Sequence, residues 1–340
     1  MDQRRVTLIM PVYNEAADIG DVLRSLDAQT FAHEAMYAVI VDGGSTDGTC
    51  EAIQTWLERG DIPGELVRNP RRTIPTSLNA GVEHARPGTI VVRLDGHTTY
   101  APDYVESIVA EFTQTPAAVG CVGGPQVPRP ESRFDLALVV ALYTNPLGLG
   151  GAGFRQITEP RDVNGVYLGA WRPGVLEEAG GFDERWEANE DAELAARVRH
   201  AGYRIRLIAA HSAYRVKRGP LAVVRQWGRY GYWRAQTLRR HPGELRLRHL
   251  APPVALLLAL VFLLSPLRPL VALGFAAYAA AIWAKRSAGE DPRVTLAACV
   301  FFPACQAAWG LGLARGFLAR ATAPARARRR PAAPRLDAGV

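Results

Sequence analysis

Apolar positions in the first half of the chain follow two alternating periods. Val6 to Val12 is an apolar run with a Pro at its penultimate position, which predicts a buried strand. The next segment, Glu15 to Gln29, places Ile19, Val22, Leu23 and Leu26 on one helical stripe. Tyr37 to Val41 predicts a second strand ending at Asp42, and Thr49 to Leu57 a second helix. Leu66 to Arg68, Ile90 to Leu94 and Val119 to Val122 read as further strands, with Pro75 to Ala85 and Asp103 to Phe112 as the helices between. Strand alternating with helix predicts an α/β fold with a mainly parallel sheet covered on both faces. Ligands of such sheets sit outside the carboxyl ends of the strands.

The pattern changes near residue 250. Leu250 to Leu264 is apolar throughout and stops at Ser265-Pro266-Leu267-Arg268-Pro269. Leu270 to Ala284 is apolar again and ends at Lys285-Arg286, and a third run spans Val294 to Ala314. The first two fall short of the ~20 residues of a comfortable bilayer crossing, and the third reaches it. Three such runs in succession would suit a soluble core poorly, so we read two or three membrane helices. The boundaries expected are a catalytic domain over 1–218, an amphipathic interface segment over 219–249, membrane helices over 250–318 and a basic, disordered tail over 319–340. No secretory signal precedes Val6, which puts the catalytic domain in the cytoplasm beside a cell membrane. Topology is then in tension. Lys285, Arg286 and Arg293 place the loop before the third run on the cytoplasmic side. With the catalytic domain also cytoplasmic, the first two runs form a hairpin, and a full third crossing would carry the arginine-rich tail outside, against the positive-inside tendency. Either the third run re-enters or lies at the interface, or that tendency is broken here.

Composition narrows the function classes. The chain has 340 residues, 48% hydrophobic and 21% charged, which excludes a disordered or fibrous protein. Its net charge of +7 is a property of the tail, since Arg315 to Val340 holds seven arginines and one aspartate. A nucleic-acid-binding face is therefore not expected, whereas contact of the tail with anionic lipid is. The four cysteines, Cys50, Cys121, Cys299 and Cys305, form no CxxC pair and suggest neither a disulfide scaffold nor structural zinc.

Five segments carry candidate chemistry, the first three at or just beyond predicted strand ends. PVYNE spans Pro11 to Glu15, and VDGGSTDGT spans Val41 to Thr49. Asp42 can accept hydrogen bonds from a base or ribose, Gly43 and Gly44 allow close backbone approach, and Asp47 is either a helix N-cap or a ligand group. RLDGH, Arg93 to His97, offers an acid that can share a divalent cation with a diphosphate, or simply an Asp-Gly turn. In Gly180 to Ile205, Asn189 can start a helix with Glu190 and Asp191 in its first turn. Those acids either complement the helix dipole or supply a general base. RQWGRYGYWRA, Arg225 to Ala235, mixes aromatics and arginines as an interfacial helix would, which is compatible with acceptor binding. A GxGxxG match at Gly148 to Gly153 follows no clean strand and lacks a downstream acid, so it reads as a glycine-rich loop rather than a dinucleotide site.

Taken in order, these blocks resemble the family 2 glycosyltransferases over about residues 6 to 240. RLDGH, LGAWR and the late membrane segments look most like the glucosyltransferases of succinoglycan-type exopolysaccharide assembly. The resemblance implies a GT-A fold, which is Rossmann-like, and inverting transfer from a nucleotide-diphosphate sugar, with uridine the expected base. It implies that Pro11, Tyr13 and Glu15 line the nucleoside pocket and that Asp42 meets the base. Arg93 and Asp95 would serve the donor, and Asp95 with His97 would hold Mn2+ or Mg2+. Asp191 matches the catalytic base and Glu190 its neighbour. Gln226, Arg229 and Tyr230 match a QxxRW motif bordering the acceptor and diphosphate. Two positions depart from the family pattern: His97 stands where a carboxylate is usual, and Tyr230 where Trp is. The implied acceptor is a polyprenyl-linked saccharide at the bilayer. Other readings kept open are a processive synthase, transfer directly to polyprenyl phosphate, a non-catalytic sugar-nucleotide-binding membrane protein and a polybasic tether.

Overall fold

The structure, a computed structural model, describes residues 5–150, 157, 159–286 and 288–319. Strands β1 (Val6–Val12), β2 (Met36–Asp42), β3 (Gly64–Arg68) and β4 (Ile90–Arg93) alternate with helices α1 (Ile19–Asp27), α2 (Thr49–Arg59) and α3 (Ile74–Glu83). The expected elements form, with one shortening. α1 begins at Ile19 rather than Glu15, because Asn14 takes a left-handed φ of 53° and the Glu15 carbonyl closes a turn onto Asp18.

Strand β5 (Thr98–Tyr100) and helix α4 (Tyr104–Gln114) come next, followed by β6 (Val119–Gly123), β7 (Gln126–Pro128) and α5 (Phe134–Thr144). The elements that follow are β8 (Arg161–Val163), β9 (Ala170–Trp171), α6 (Val175–Glu178), α7 (Glu190–His200), β10 (Arg204–Leu207) and β11 (Ser212–Tyr214). The main sheet runs in the order β3-β2-β1-β4-β9-β6-β10-β8, and a small second sheet in the order β5-β11-β7. In the main sheet, β9 pairs antiparallel with β4 and β6, and β8 antiparallel with β10, while the other pairs are parallel. The sheet is therefore mixed, with a Rossmann-like parallel half and two reversed strands. The short β9 carries too few residues to show a period.

Side chains alternate across β1 and divide the core. Leu8 and Met10 face the layer of α1, α2 and α4, packing with Leu26, Trp56 and Ile108. Ile9 faces the other layer and packs with Leu78 of α3 and Leu194 of α7.

A long helix α8 (Pro220–Arg240) leads to three apolar helices: α9 (Leu247–Leu263), α10 (Arg268–Ala284) and α11 (Pro292–Leu318). One of these, α11, is long and apolar enough to cross a membrane; α9 and α10 are shorter apolar helices of 17 residues. α8 and α11 pack closely side by side. A Cβ on Gly312 would sit 2.0 Å from the Gly228 carbonyl oxygen, and one on Gly231 would sit 2.0 Å from that of Trp309. The glycines bring the two backbones into near contact. The tail beyond Ala319 and the segment 151–156, which holds the second half of the GxGxxG match, lie outside the described residues.

Candidate active site

The ends of β1 and β2 are laced together by their loops. Asn14 N–H donates to Ser45 Oγ at 2.9 Å, and Thr46 N–H donates back to Asn14 Oδ1 at 2.9 Å. Glu15 N–H donates to Thr49 Oγ1 at 2.8 Å and Ala16 N–H to Asp47 Oδ2 at 3.0 Å. Asp47 thus fastens one loop to the other, in addition to accepting from Thr49. Asp42 is 2% exposed, and its carboxylate accepts from Gly44 N–H at 2.9 Å and Ser45 N–H at 3.0 Å. Burial works to raise its pKa, but hydrogen bonds from Ser45 and Gly44 outweigh it and hold the carboxyl below its usual range. Gly44 has φ +89°, which a side chain would strain, and the Arg72 guanidinium lies 3.3 Å from where its Cβ would be. Tyr13 stands at the rim, half exposed, with the Arg72 guanidinium carbon 5.9 Å from its ring centre.

Around Glu15 the structure assembles groups from three distant segments. Glu15 Oε1 lies 3.2 Å from His97 Nδ1, and Oε2 pairs with Lys217, which also reaches Asp18 Oδ2 at 2.8 Å. Burial opposes ionisation of both Glu15 and His97, yet their mutual hydrogen bond prevails; the Glu15 pKa falls and that of His97 rises. Lys217 follows β11 and was not anticipated, although it is one of two lysines in the chain.

Arg93, the last residue of β4, is the centre of the site. Its guanidinium is 2% exposed; Nη1 lies 3.1 Å from Glu190 Oε1 and Nη2 lies 3.7 Å from Asp95 Oδ1. Asp95 and Glu190 are themselves buried, so one cation neutralises two acids, one just past the end of β4 and one at the start of α7. Arg93 Nε has no protein partner. Arg93 also lines a small, partly open cavity of about 10 Å³ with Trp171, Phe182 and Asp191, the size of one water. Tyr167, a residue the sequence did not single out, lies with its ring centre 5.7 Å from the Arg93 guanidinium carbon. Its phenol is held neutral, first by the charge of Asp95 and then by burial.

Asp191 stands in the first turn of α7, beside Glu190. Its Oδ1 accepts from Ala192 N–H at 2.8 Å. Burial and then the Glu190 charge push its carboxyl up to about 6, with Arg93 pulling the other way. It remains partly exposed, so a hydroxyl can reach it. α7 starts here because Asn189 adopts a left-handed φ of 58° and anchors its side chain on the Tyr230 carbonyl at 3.0 Å. Gly180 and Gly181 of the GGFDE segment both have positive φ, and Asp183 is clamped by Arg185 and Arg240.

The QxxRY segment lies on α8. Gln226 Nε2 donates to Tyr230 Oη at 2.5 Å, one helical turn apart, and Arg229 donates to the Glu187 carbonyl at 3.3 Å. Burial first, then the charge of Asp191, raises the Tyr230 hydroxyl to about 12. The structure therefore gathers Arg93, Asp95, Glu190, Asp191 and Tyr230 in one cluster, and Glu15 and His97 in a second group that borders Asp95. Pro11 and Asp42 pair on the neighbouring strands β1 and β2 with Val41 and Val12. Among the described residues no three His, Cys, Asp or Glu side chains converge as a ready metal cage. Asp95 and His97 offer two donors of different type. An imidazole whose Nδ1 faces a carboxylate is the usual support for a metal-binding histidine, so the pair suits a divalent cation that takes its other ligands from a diphosphate.

Comparisons with known proteins bear on what this arrangement serves. The family Glycosyl transferase family 2 matches residues 7–158, and Glycosyl transferase family group 2 matches residues 90–310. The succinoglycan biosynthesis protein ExoA of Rhizobium meliloti (strain 1021) is 32% identical over 247 residues, 72% of this chain and 73% of that protein. An undecaprenyl-phosphate 4-deoxy-4-formamido-L-arabinose transferase of Pseudomonas aeruginosa (strain LESB58) is 30% identical over 119 residues, 34% of this chain and 35% of that protein. Among solved structures, a mannosyltransferase from Pyrobaculum calidifontis in complex with GDP-Man and Mn2+ shares the fold with a TM-score of 0.58 at 24% identity. That match covers 92% of this chain and 87% of the other. The fold is thus of the GT-A type, and the extent of the family matches makes the conclusion plain: the chain belongs to the family 2 glycosyltransferases.

Proposed function

We propose that the protein is a membrane-bound inverting glycosyltransferase that moves a hexose from a nucleotide-diphosphate sugar, with UDP the expected carrier, to a lipid-linked saccharide. The product would serve exopolysaccharide or cell-envelope glycan synthesis. The observation that carries the reading is the buried chain Asp95–Arg93–Glu190, which fixes the base candidate Asp191 beside the donor-side acid.

In this reading the acceptor hydroxyl approaches Asp191. The carboxylate takes its proton as the oxygen attacks the anomeric carbon, and the bond from that carbon to the diphosphate oxygen breaks on the opposite face. One displacement inverts configuration and needs no covalent nucleophile. Arg93 is too buried to meet the leaving group and acts by holding Glu190 and Asp95 in place. Lys217, partly exposed beside Glu15, is positioned to face the departing diphosphate. Asp95 and His97 would hold Mn2+ or Mg2+, whose chemistry is to offset charge on the diphosphate oxygens. The Mn2+ held by the mannosyltransferase of Pyrobaculum calidifontis together with its GDP-Man supports this assignment. The catalytic domain would face the cytoplasm, where sugar nucleotides are made.

The partial match to an undecaprenyl-phosphate transferase favours one second reading, transfer directly to polyprenyl phosphate. A single experiment separates the two. Membranes containing the protein are given a panel of labelled sugar nucleotides with Mn2+ or Mg2+, and label is followed into the lipid extract. We expect label in a short saccharide of two or more residues on lipid. A labelled lipid monosaccharide released as the single sugar by mild acid would select the second reading. No label in lipid from any donor, when both lipid-linked saccharide and polyprenyl phosphate are supplied, would refute both.

A further inference from the structure

The three apolar helices differ in how they expose their side chains. On α9, Leu257, Leu258, Leu260, Val261 and Leu263 are all exposed, and at 100° per residue these positions together span more than half of the helix. On α10, Leu270, Leu273 and Phe275 are likewise exposed on different sides. α11 behaves otherwise. Its exposed Leu296, Val300, Leu311, Phe317 and Leu318 fall within about a third of the circumference at 100° per residue. The opposite face is buried: Phe302 and Cys305 pack with Leu142 of α5 and Trp227 of α8.

α11 is also bound along its length to a helix that cannot enter a bilayer. Gly228, Gly231 and Tyr232 of α8 meet Gly312, Trp309 and Gly316 of α11. Further on, Gln236 Nε2 donates to the Gly316 carbonyl at 2.9 Å and Arg239 to that of Phe317 at 3.3 Å. α8 carries Arg225, Arg229, Arg234, Arg239 and Arg240, and it is fastened to the catalytic domain by Asn189 to Tyr230, Trp186 to Thr237 and Asp183 to Arg240. Five arginines along 21 residues exclude α8 from hydrocarbon.

From this contrast we infer that α9 and α10 cross the bilayer as a hairpin, whereas α11, the helix that by length and composition best fits a span, stays on the catalytic side and lies in the membrane surface. The partner of the α9–α10 surface is lipid. Away from the end of α10 where Ile282 packs against α11, the apolar side chains of both helices face several directions, which one protein surface would cover poorly. Charge agrees with this placement. Arg246, Lys285, Arg286 and Arg293 collect at the open end of the hairpin, with Trp283 exposed beside Arg286, as suits anionic headgroups and an aromatic belt. Arg268 sits at the closed end, where it reaches the far headgroups. Each 17-residue helix is ~25 Å long, at the short end for a crossing, so the bilayer thins locally or the helices stand nearly upright. The chain leaves α11 on the side where it entered, which removes the conflict with the positive-inside tendency.

The inference rests on the membrane-bound reading above. Its test uses the full chain in sealed vesicles of both orientations, first washed at alkaline pH. Three variants each add one cysteine: Leu267→Cys at the tip, Ala288→Cys before α11, and a cysteine appended after Val340. Labelling by a membrane-impermeant maleimide is read against the parent chain. We expect the tip to label only from the face opposite the catalytic domain, and the other two only from the catalytic face. Labelling of the appended cysteine from the opposite face, or of the tip from neither face or only the catalytic one, overturns the inference and leaves the membrane-bound reading standing. Release of the whole chain by the alkaline wash overturns both.

Discussion

Arg93 Nη1 lies 3.1 Å from Glu190 Oε1, a buried ion pair that ties the end of β4 to the start of α7. The same guanidinium faces Asp95 at 3.7 Å. Removing the charge strands two buried acids. Arg93→Met is expected to lower stability by about 3–5 kcal/mol. Arg93→Lys should retain part of that stability, because it keeps the charge without the second contact. Thermal unfolding of the three proteins in one detergent checks the order wild type, Lys, Met.

The Asp191 carboxyl titrates near 6, which ties activity and stability to pH in opposite senses. Transfer needs the ionised form, so kcat/KM should climb about tenfold per pH unit below ~6 and level off above it. Stability runs the other way. Folding raises this pKa from 3.8 to about 6 and so favours the neutral acid; its contribution is complete below pH 4 and lost as pH rises through 6. Asp191→Asn should be more stable than wild type by about 3 kcal/mol at pH 8 and equal to it below pH 4. Denaturation curves at the two pH values measure this directly.

Lys217 is partly exposed and pairs with Glu15 and Asp18 beside the proposed donor site. Lys217→Ala is expected to raise the donor KM about tenfold or more and also to lower the unfolding midpoint, since the carboxylates of Glu15 and Asp18 that it pairs are largely buried. Donor saturation curves and melting curves on the same preparation decide it.

At the α8–α11 contact there is no room for a methyl group. Gly312→Ala would put a carbon 2.0 Å from the Gly228 carbonyl oxygen. A loss of about 1–3 kcal/mol is expected from overpacking, with weaker acceptor use because α8 carries Gln226 and Tyr230. Gly243→Ala, at a position with open space around it, serves as the control that should change nothing.

The strands β1, β2 and β4 and helices α1 to α4 were legible in the sequence because their apolar periods run long enough to be distinguished. β9, two residues long, and the three-residue strands β5, β7 and β11 were not, since such stretches carry no period. The candidate acids were legible from their places at strand ends and in a helix's first turn. Tyr167 and Lys217 were not, because what places them beside Arg93 and Glu15 is tertiary closure of loops distant in sequence. Arg93 was read as a donor contact, and nothing in its neighbours revealed that the guanidinium would be buried between two acids. The third apolar run read as long enough for a membrane span. Its close packing on α8 was not legible, because it runs through glycines whose pairing emerges only in three dimensions.

The central claim is that Asp191 takes the acceptor proton. Its most direct test pairs donor titration with a transfer assay on Asp191→Asn. We predict that transfer falls about 10²–10⁴-fold while the donor Kd stays within about threefold of wild type, well under 1 kcal/mol of binding energy. Transfer at close to the wild-type rate would contradict the assignment and move the base elsewhere in the cluster around Arg93.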